Sequence, residues 1–126
     1  MRLAFATLTI ASLTAAAVAH ASSDDRSLPY GCSDTVVLAT VGDGTHEPVD
    51  STGNLLGNGW FSAPLNVRET VRGEPLPAVL PVRYFAHTPI QETQEFILVL
   101  KLTASGYEIQ DGELMREQPV LASNCR

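Results

Sequence analysis

The sequence predicts a mainly β domain with at most one short helix, placed behind a cleaved leader and closed by a single disulfide. Three observations carry that expectation. After residue 22, proline and glycine recur so often that Ile90 to Ser105 is the only uninterrupted stretch long enough for an ordinary helix. The segments between these breakers are rich in Val, Ile, Phe and Thr, and Trp60 to Arg72 alternates with period two. Cys32 and Cys125, the only cysteines, bracket nearly everything that follows the leader.

Met1 to Ala21 reads as the leader: one basic residue, an apolar run from Leu3 to Ala19, and the small-x-small site Ala19-His20-Ala21. Cleavage is expected after Ala21. Thr7, Thr9, Ser12 and Thr14 interrupt the run and polar Ser22 to Arg26 follows at once, so it makes a poor permanent span. No membrane span is expected in the mature form. A lipid-modified cysteine would directly follow the apolar run, whereas Cys32 lies beyond Pro29-Tyr30-Gly31. Residues 22–33 read as an N-terminal extension and 34–126 as one domain.

Eight Lys or Arg against fourteen Asp or Glu give a net charge of −6. Cleavage removes Arg2 and no acid, which makes it −7. Charge of this sign disfavours adhesion to phosphate backbones, so nucleic acid is not the expected partner. Removing 21 of 126 residues leaves 105, a single domain able to bury roughly 65% of its unfolded surface. In an oxidising compartment the two cysteines are expected to pair, and closing so long a loop contributes ~4 kcal/mol in the chain-entropy model. A metal pair or a catalytic thiol needs a reduced thiolate, and neither cysteine has a Cys or His at ligand spacing.

Asp34 to Val41 is β-branched, ends at Gly42-Asp43-Gly44, and reads as a first strand. Gly42 to Gly59 is polar, glycine-rich and without period, which predicts one long loop. From Trp60 to Arg72, Phe61, Ala63, Leu65, Val67 and Val71 point one way and Ser62, Asn66, Arg68, Thr70 and Arg72 the other. Glu69 breaks the inward set, which predicts a bulge that turns it out. After the turn Gly73 to Pro77, Ala78 to Phe85 forms a third strand; Pro81 within it predicts an edge or a bulge. Thr88-Pro89-Ile90-Gln91 has the form of a capping box and predicts a helical turn from Pro89 to about Gln94.

Glu95 to Leu102 is the most apolar run of the mature chain and predicts a central strand covered on both faces. Asp111-Gly112 between Gly106 to Gln110 and Glu113 to Arg116 predicts a tight hairpin in which Ile109 faces Leu114. A short helix from Glu113 to Gln118, stopped by Pro119, competes with it. The final residues carry Cys125 back to Cys32.

In that order, Val36 to Val41, Phe61 to Val71 closing on Arg72-Gly73-Glu74, Val82, Phe96 to Leu100 and Gly106-Tyr107 resemble the strands of secreted domains similar to the tissue inhibitors of metalloproteinases. The resemblance covers Asp34 to Gly112. It implies a small five- to six-stranded OB-like barrel used as a binding or inhibitory surface. Inhibitors of that family grip the protease zinc through a cysteine at the mature N-terminus. Here that residue is Ser22, so the resemblance carries the fold and not the mechanism.

Two histidines remain after cleavage, His46 and His87, both at predicted strand ends. With Asp43, Glu47 and Asp50 they form the weak candidates for a metal site, although the spacing lacks any His-x-x-x-His. There is no Gly-x-Ser-x-Gly elbow, and Ser51, Ser62 and Ser105 have no activating neighbour in sequence. Carboxylate pairs such as Asp111 with Glu113 suit solvation in an acidic chain as well as they suit acid-base chemistry. No motif implies a cofactor. Asn66, Arg68, Thr70 and Arg72, joined by Arg83 on the next strand and by Trp60, make the candidate binding face. The competing reading has these arginines balancing Glu69 and Glu74, with Trp60 in the core.

The resulting expectation is a secreted or periplasmic, non-catalytic binding module for an exported protein. Its alternatives are a small metal-dependent or acid-base hydrolase with its site in the 42–59 loop, and a structural part of an envelope assembly.

Overall fold

The computed structural model describes residues 27–49 and 53–125. The leader, Asp50 and Ser51 lie outside the described residues. The strands are β1 (Ser27–Tyr30), β2 (Thr35–Val41), β3 (Thr45–Pro48), β4 (Gly59–Arg72), β5 (Val79–Ala86), β6 (Phe96–Thr103), β7 (Gly106–Leu114) and β8 (Val120–Ser123), with a 3-10 turn at Met115–Glu117. Five of them close a barrel in the order β2-β4-β5-β7-β6 and back to β2. Every neighbouring pair is antiparallel except β5–β7. That single parallel closure is the Greek-key arrangement of an OB-type barrel. β3 lies along the first half of β4, on the edge that β2 occupies further on.

The apolar runs of β2 and β6 are buried on both faces. Val37, Ala39 and Val41 of β2, with Leu98 and Leu100 of β6, fill the barrel against Phe61, Leu65 and Val82. Their alternate residues Val36, Leu38, Ile97 and Val99 face outward, where Leu28, Tyr30 and Leu121 cover them. These last three belong to a strap formed by β1 and β8, which pair in parallel from Ser27 opposite Val120 to Tyr30 opposite Ser123. Asn124 N donates to Tyr30 O at 2.8 Å, and Cys32 is bonded to Cys125 with Cα atoms 4.7 Å apart. The segment read as an N-terminal extension thus contributes a strand to the domain. Among the described residues no helix is long and apolar enough to cross a membrane.

The register along β4 explains Glu69. Leu38 pairs with Glu69 and Ala39 with Val67, so Arg68 is an extra residue; a second shift leaves Val71 extra between Thr70 and Arg72. The first bulge turns Glu69 to solvent. The second removes Val71 from the inward set, and it packs against the outer layer with Val36 and Leu38.

Four sequence expectations are corrected. The stretch Gly42 to Gly59 is not one loop, because β3 pairs Thr45 with Ser62 through to Pro48 with Gly59. β3 is exposed at every residue, so no apolar period marks it; backbone hydrogen bonds to β4 hold it. No helix forms at Pro89 to Gln94: Ile90 packs on the barrel interior and its N–H donates to Tyr84 OH at 3.1 Å, which holds the segment extended up to a turn at Glu92–Thr93. Asp111-Gly112 is not a hairpin. It lies within β7, with Asp111 opposite Val99 and Gly112 opposite Leu98, and Ile109 pairs with Leu100, not with Leu114. Glycine is needed there for close approach, since a Cβ at Gly112 would lie 2.5 Å from Leu98 Cδ2. The true turn is Ala104-Ser105, after which Gly106 takes φ +105. Finally, Pro81 marks neither an outer edge nor a bulge: β5 is an internal barrel strand whose pairing with β7 begins only at Val82 opposite Tyr107.

Candidate binding face

The register of β4 with β5 sets two faces. Phe61 opposite Tyr84, Ala63 opposite Val82 and Leu65 opposite Leu80 are buried in the barrel. The intervening pairs are Trp60 with Phe85, Ser62 with Arg83, Pro64 with Pro81 and Asn66 with Val79, and alternation points them outward. On this outer face Arg83 Cζ lies 4.4 Å from the Trp60 ring centroid, and Phe85 meets the same indole edge-on at 5.4 Å. Arg83 and Trp60 are diagonal neighbours across the ladder, a spacing that long and aromatic side chains bridge. Phe85 remains 52% exposed, too open to be a core residue.

Arg83 has no ion pair among the described residues. Glu108, opposite it on β7, accepts instead from the Thr103 hydroxyl at 3.4 Å. The outer edge of the guanidinium stays free to receive an anionic group while its face rests on Trp60.

Beside this cluster runs a shallow groove of about 430 Å³, lined by Ser62, Pro64, Pro81, Arg83, Ser105 and Tyr107 among others. Its two prolines face each other across the ladder. Neither can donate a backbone hydrogen bond, and neither is placed where one is needed. Pro64 O accepts from Gly42 N at 2.7 Å, so the side of Pro64 that lacks an N–H faces the break between β2 and β3. Pro81 lies just before the β5–β7 pairing starts. The groove is predominantly apolar, with Ser62, Ser105 and Tyr107 adding hydroxyls and Arg83 as its one ionised side chain.

Of the six residues read from sequence as the binding face, the structure brings Trp60, Asn66 and Arg83 onto one surface, while Thr70 Oγ1 accepts from Leu76 N at 3.2 Å. Arg68 is taken up elsewhere. Its Nε and Nη2 donate to the two carboxylate oxygens of Glu95 at 2.6 and 2.9 Å. Hydrogen bonding to Glu95, and then the charge of that carboxylate, hold the guanidinium above its ordinary value. Arg72 is at the far end of β4, opposite Val36, and donates to Val71 O at 2.8 Å. Phe85, Tyr107 and the paired prolines were missed. Only the alternation of Ala78 to Phe85 carried a signal for Phe85, which falls on the outward set with Arg83.

Among the described residues the remaining candidates do not assemble. The His46 ring stacks on Phe61 at 4.3 Å, and Phe61 stacks on Tyr84 at 5.0 Å. This column of three rings ends in an exposed imidazole. His87 and Glu47 are exposed, and Asp43 Oδ1 accepts from Gly44 N at 3.0 Å. Among the described residues no three His, Cys, Asp or Glu side chains come together in a way that suits a metal ion. Asp111 Oδ1 accepts from Gly112 N at 2.8 Å. Ser62 and Ser105 both line the groove, and neither is hydrogen-bonded to a histidine.

Compared with protein-family models, curated proteins and solved structures, the chain matches none.

Proposed function

We propose that this chain is an exported, non-catalytic binding module that engages a partner protein through the outer face of β4 and β5. One observation carries the reading. Trp60, Arg83 and Phe85 form a single cluster that is held together, open to solvent, and contains an arginine with no ion pair among the described residues. Aromatic residues and arginine are the types that dominate binding energy at protein interfaces. The adjoining apolar groove extends the surface toward Tyr107. The Cys32–Cys125 disulfide agrees with an oxidising compartment outside the cytosol, and the leader read at Met1 to Ala21 supports export. The resemblance to secreted inhibitor domains favours an exported enzyme as the partner, engaged without the terminal-cysteine chemistry of that family.

The test is affinity capture of the mature protein from an exported fraction, with Trp60→Ala/Arg83→Glu compared against Arg68→Glu. The first pair is expected to lose the captured protein and the second to keep it. Equal recovery by both forms would place the interface elsewhere. Stoichiometric metal in the purified protein, lost on His46→Ala or His87→Ala, would overturn the non-catalytic part of the reading.

A further inference from the structure

Arg83 stands directly opposite a carboxylate and does not pair with it. A row of side chains crosses the outer wall in register: Ser62 of β4, Arg83 of β5, Glu108 of β7 and Lys101 of β6. Each directly follows a residue of the barrel interior, Phe61, Val82, Tyr107 and Leu100 in turn, so all four point outward. The Arg83 guanidinium leans toward β4 and rests 4.4 Å from the Trp60 ring centroid, while Glu108 accepts from the Thr103 hydroxyl at 3.4 Å. Neither Arg83 nor Lys101 has an ion pair among the described residues. The aromatic contact holds the guanidinium in place and leaves its N–H groups to the groove that Arg83 lines with Ser62, Pro64, Pro81 and Tyr107.

The charges around Arg83 select a single anion. Lys101 lies on the far side of Glu108, so these two offset one another and Arg83 remains as one net positive charge. Glu47 lies opposite Trp60 on β3, two strands from Arg83 and so roughly 10 Å away, about one Debye length at physiological salt. Its charge is largely screened. One free guanidinium matches one carboxylate, whereas a phosphate backbone or an anionic bilayer would bring many negative charges to a chain whose net charge is −6. The floor of the groove narrows the occupant further. Ser62 to Pro64 and Pro81 to Arg83 are already paired with each other across the β4–β5 ladder, and the two prolines have no N–H to offer. An added strand would find no donors there, so the occupant is read through its side chains. The proline rings and Tyr107 supply apolar surface, and Ser62 and Ser105 supply hydroxyls. We propose that the groove binds an apolar segment of a partner protein that carries one Asp or Glu, whose carboxylate meets the N–H groups of Arg83. The inference rests on the binding-module reading and adds the chemistry of the segment bound.

The experiment pans a display library of random dodecapeptides against the mature protein. The enriched sequences are expected to be apolar with a single acid at one fixed place. A synthetic copy of the leading peptide should bind at least about tenfold more weakly once its acid is replaced by the corresponding amide. Arg83→Met, which keeps an apolar stem beside Trp60, should lose a similar factor at an unchanged melting temperature. On Arg83→Met the amide replacement should cost nothing further, because the two changes remove one and the same contact. Arg83→Glu should prefer the peptide in which the acid is replaced by Lys. No enriched peptide, enriched peptides without an acid, or losses that simply add would each overturn the proposal, as would an oligonucleotide or anionic vesicles held by the unaltered protein and released by Arg83→Met. The outcomes also separate this inference from the reading beneath it. If the enriched peptides lack an acid but are lost on Trp60→Ala, the carboxylate is refuted and the β4–β5 face stands. If acid-bearing peptides bind Trp60→Ala/Arg83→Glu undiminished, the face itself is refuted.

Discussion

Replacing both cysteines by serine tests what holds the strap to the barrel. Cys32 and Cys125 are 93 residues apart in sequence, so the bond closes almost the whole described chain and restricts the unfolded state by about 4–5 kcal/mol in the chain-entropy model. In a domain of this size each kcal/mol moves the melting temperature by roughly 4 °C or more, which predicts a fall of roughly 20 °C. The loss is not expected to be uniform. β1 and β8 reach the barrel chiefly through Leu28, Tyr30 and Leu121 over Val36, Leu38, Ile97 and Val99. Of the three, only Leu28 is fully buried, contributing about 2 kcal/mol. Without the disulfide the strap should therefore open before the barrel does. Thermal melts followed by circular dichroism measure the first effect. Hydrogen exchange read by mass spectrometry measures the second, as early exchange of Leu28 and Leu121 amides relative to Val37 and Leu98. A melting temperature within about 5 °C of the unaltered protein, or strap amides as protected as barrel amides, would refute the reasoning.

Leu28→Ala removes the one fully buried side chain of the strap and should cost about 2–5 kcal/mol in urea unfolding. Gly112→Ala forces a Cβ toward Leu98 Cδ2, 2.5 Å away, and should destabilise by about 1–3 kcal/mol in the same assay, since Leu98 is itself buried. Trp60→Ala/Arg83→Glu removes an exposed cation–π contact and an edge-on ring pair, together about 1–2 kcal/mol, so its melting temperature should fall only slightly even where binding is abolished. Arg68→Ala breaks an exposed ion pair and should leave both the melting curve and partner binding unchanged; loss of binding would return Arg68 to the interface.

The parts of the fold that were legible in sequence are those in which burial dictates residue type along consecutive positions. Val36 to Val41 and Phe96 to Leu100 are apolar at both parities because a barrel interior lies on one side and a strap on the other. Glu69 was legible as a bulge because an unpaired carboxylate at an inward position of an apolar strand costs more than a local register shift. What was not legible depends on contacts distant in sequence. Thr45 to Pro48 carries no apolar period, and only the adjacent first half of β4 makes it a strand. Asp111-Gly112 has the composition of a turn, but Leu98 crowds that position and recruits glycine for clearance instead. Arg68 looked like a member of a basic face because Glu95, 27 residues away, gives no sign in sequence that it will meet the bulge.

The covering of one barrel face explains why the other is open. All five barrel strands have outward residues, and the strap packs mainly on those of β2 and β6, which are Val, Leu and Ile, with Val71 of β4 joining them. Across the β4–β5 ladder the outward residues are Trp60, Ser62, Pro64, Asn66, Val79, Pro81, Arg83 and Phe85, a mixture too polar for a core and too aromatic for plain solvation. Closure of the barrel also limits how a partner can attach. It pairs the five barrel strands with one another, although β5 meets β7 only at Val82 and Arg83 opposite Tyr107 and Glu108. β3 ends the sheet order with a free edge that is four residues long, exposed throughout, and carries Glu47 and Pro48. Such an edge discourages strand addition. On the proposed binding reading, recognition falls to side chains, and those suited to it are the ones the strap does not reach.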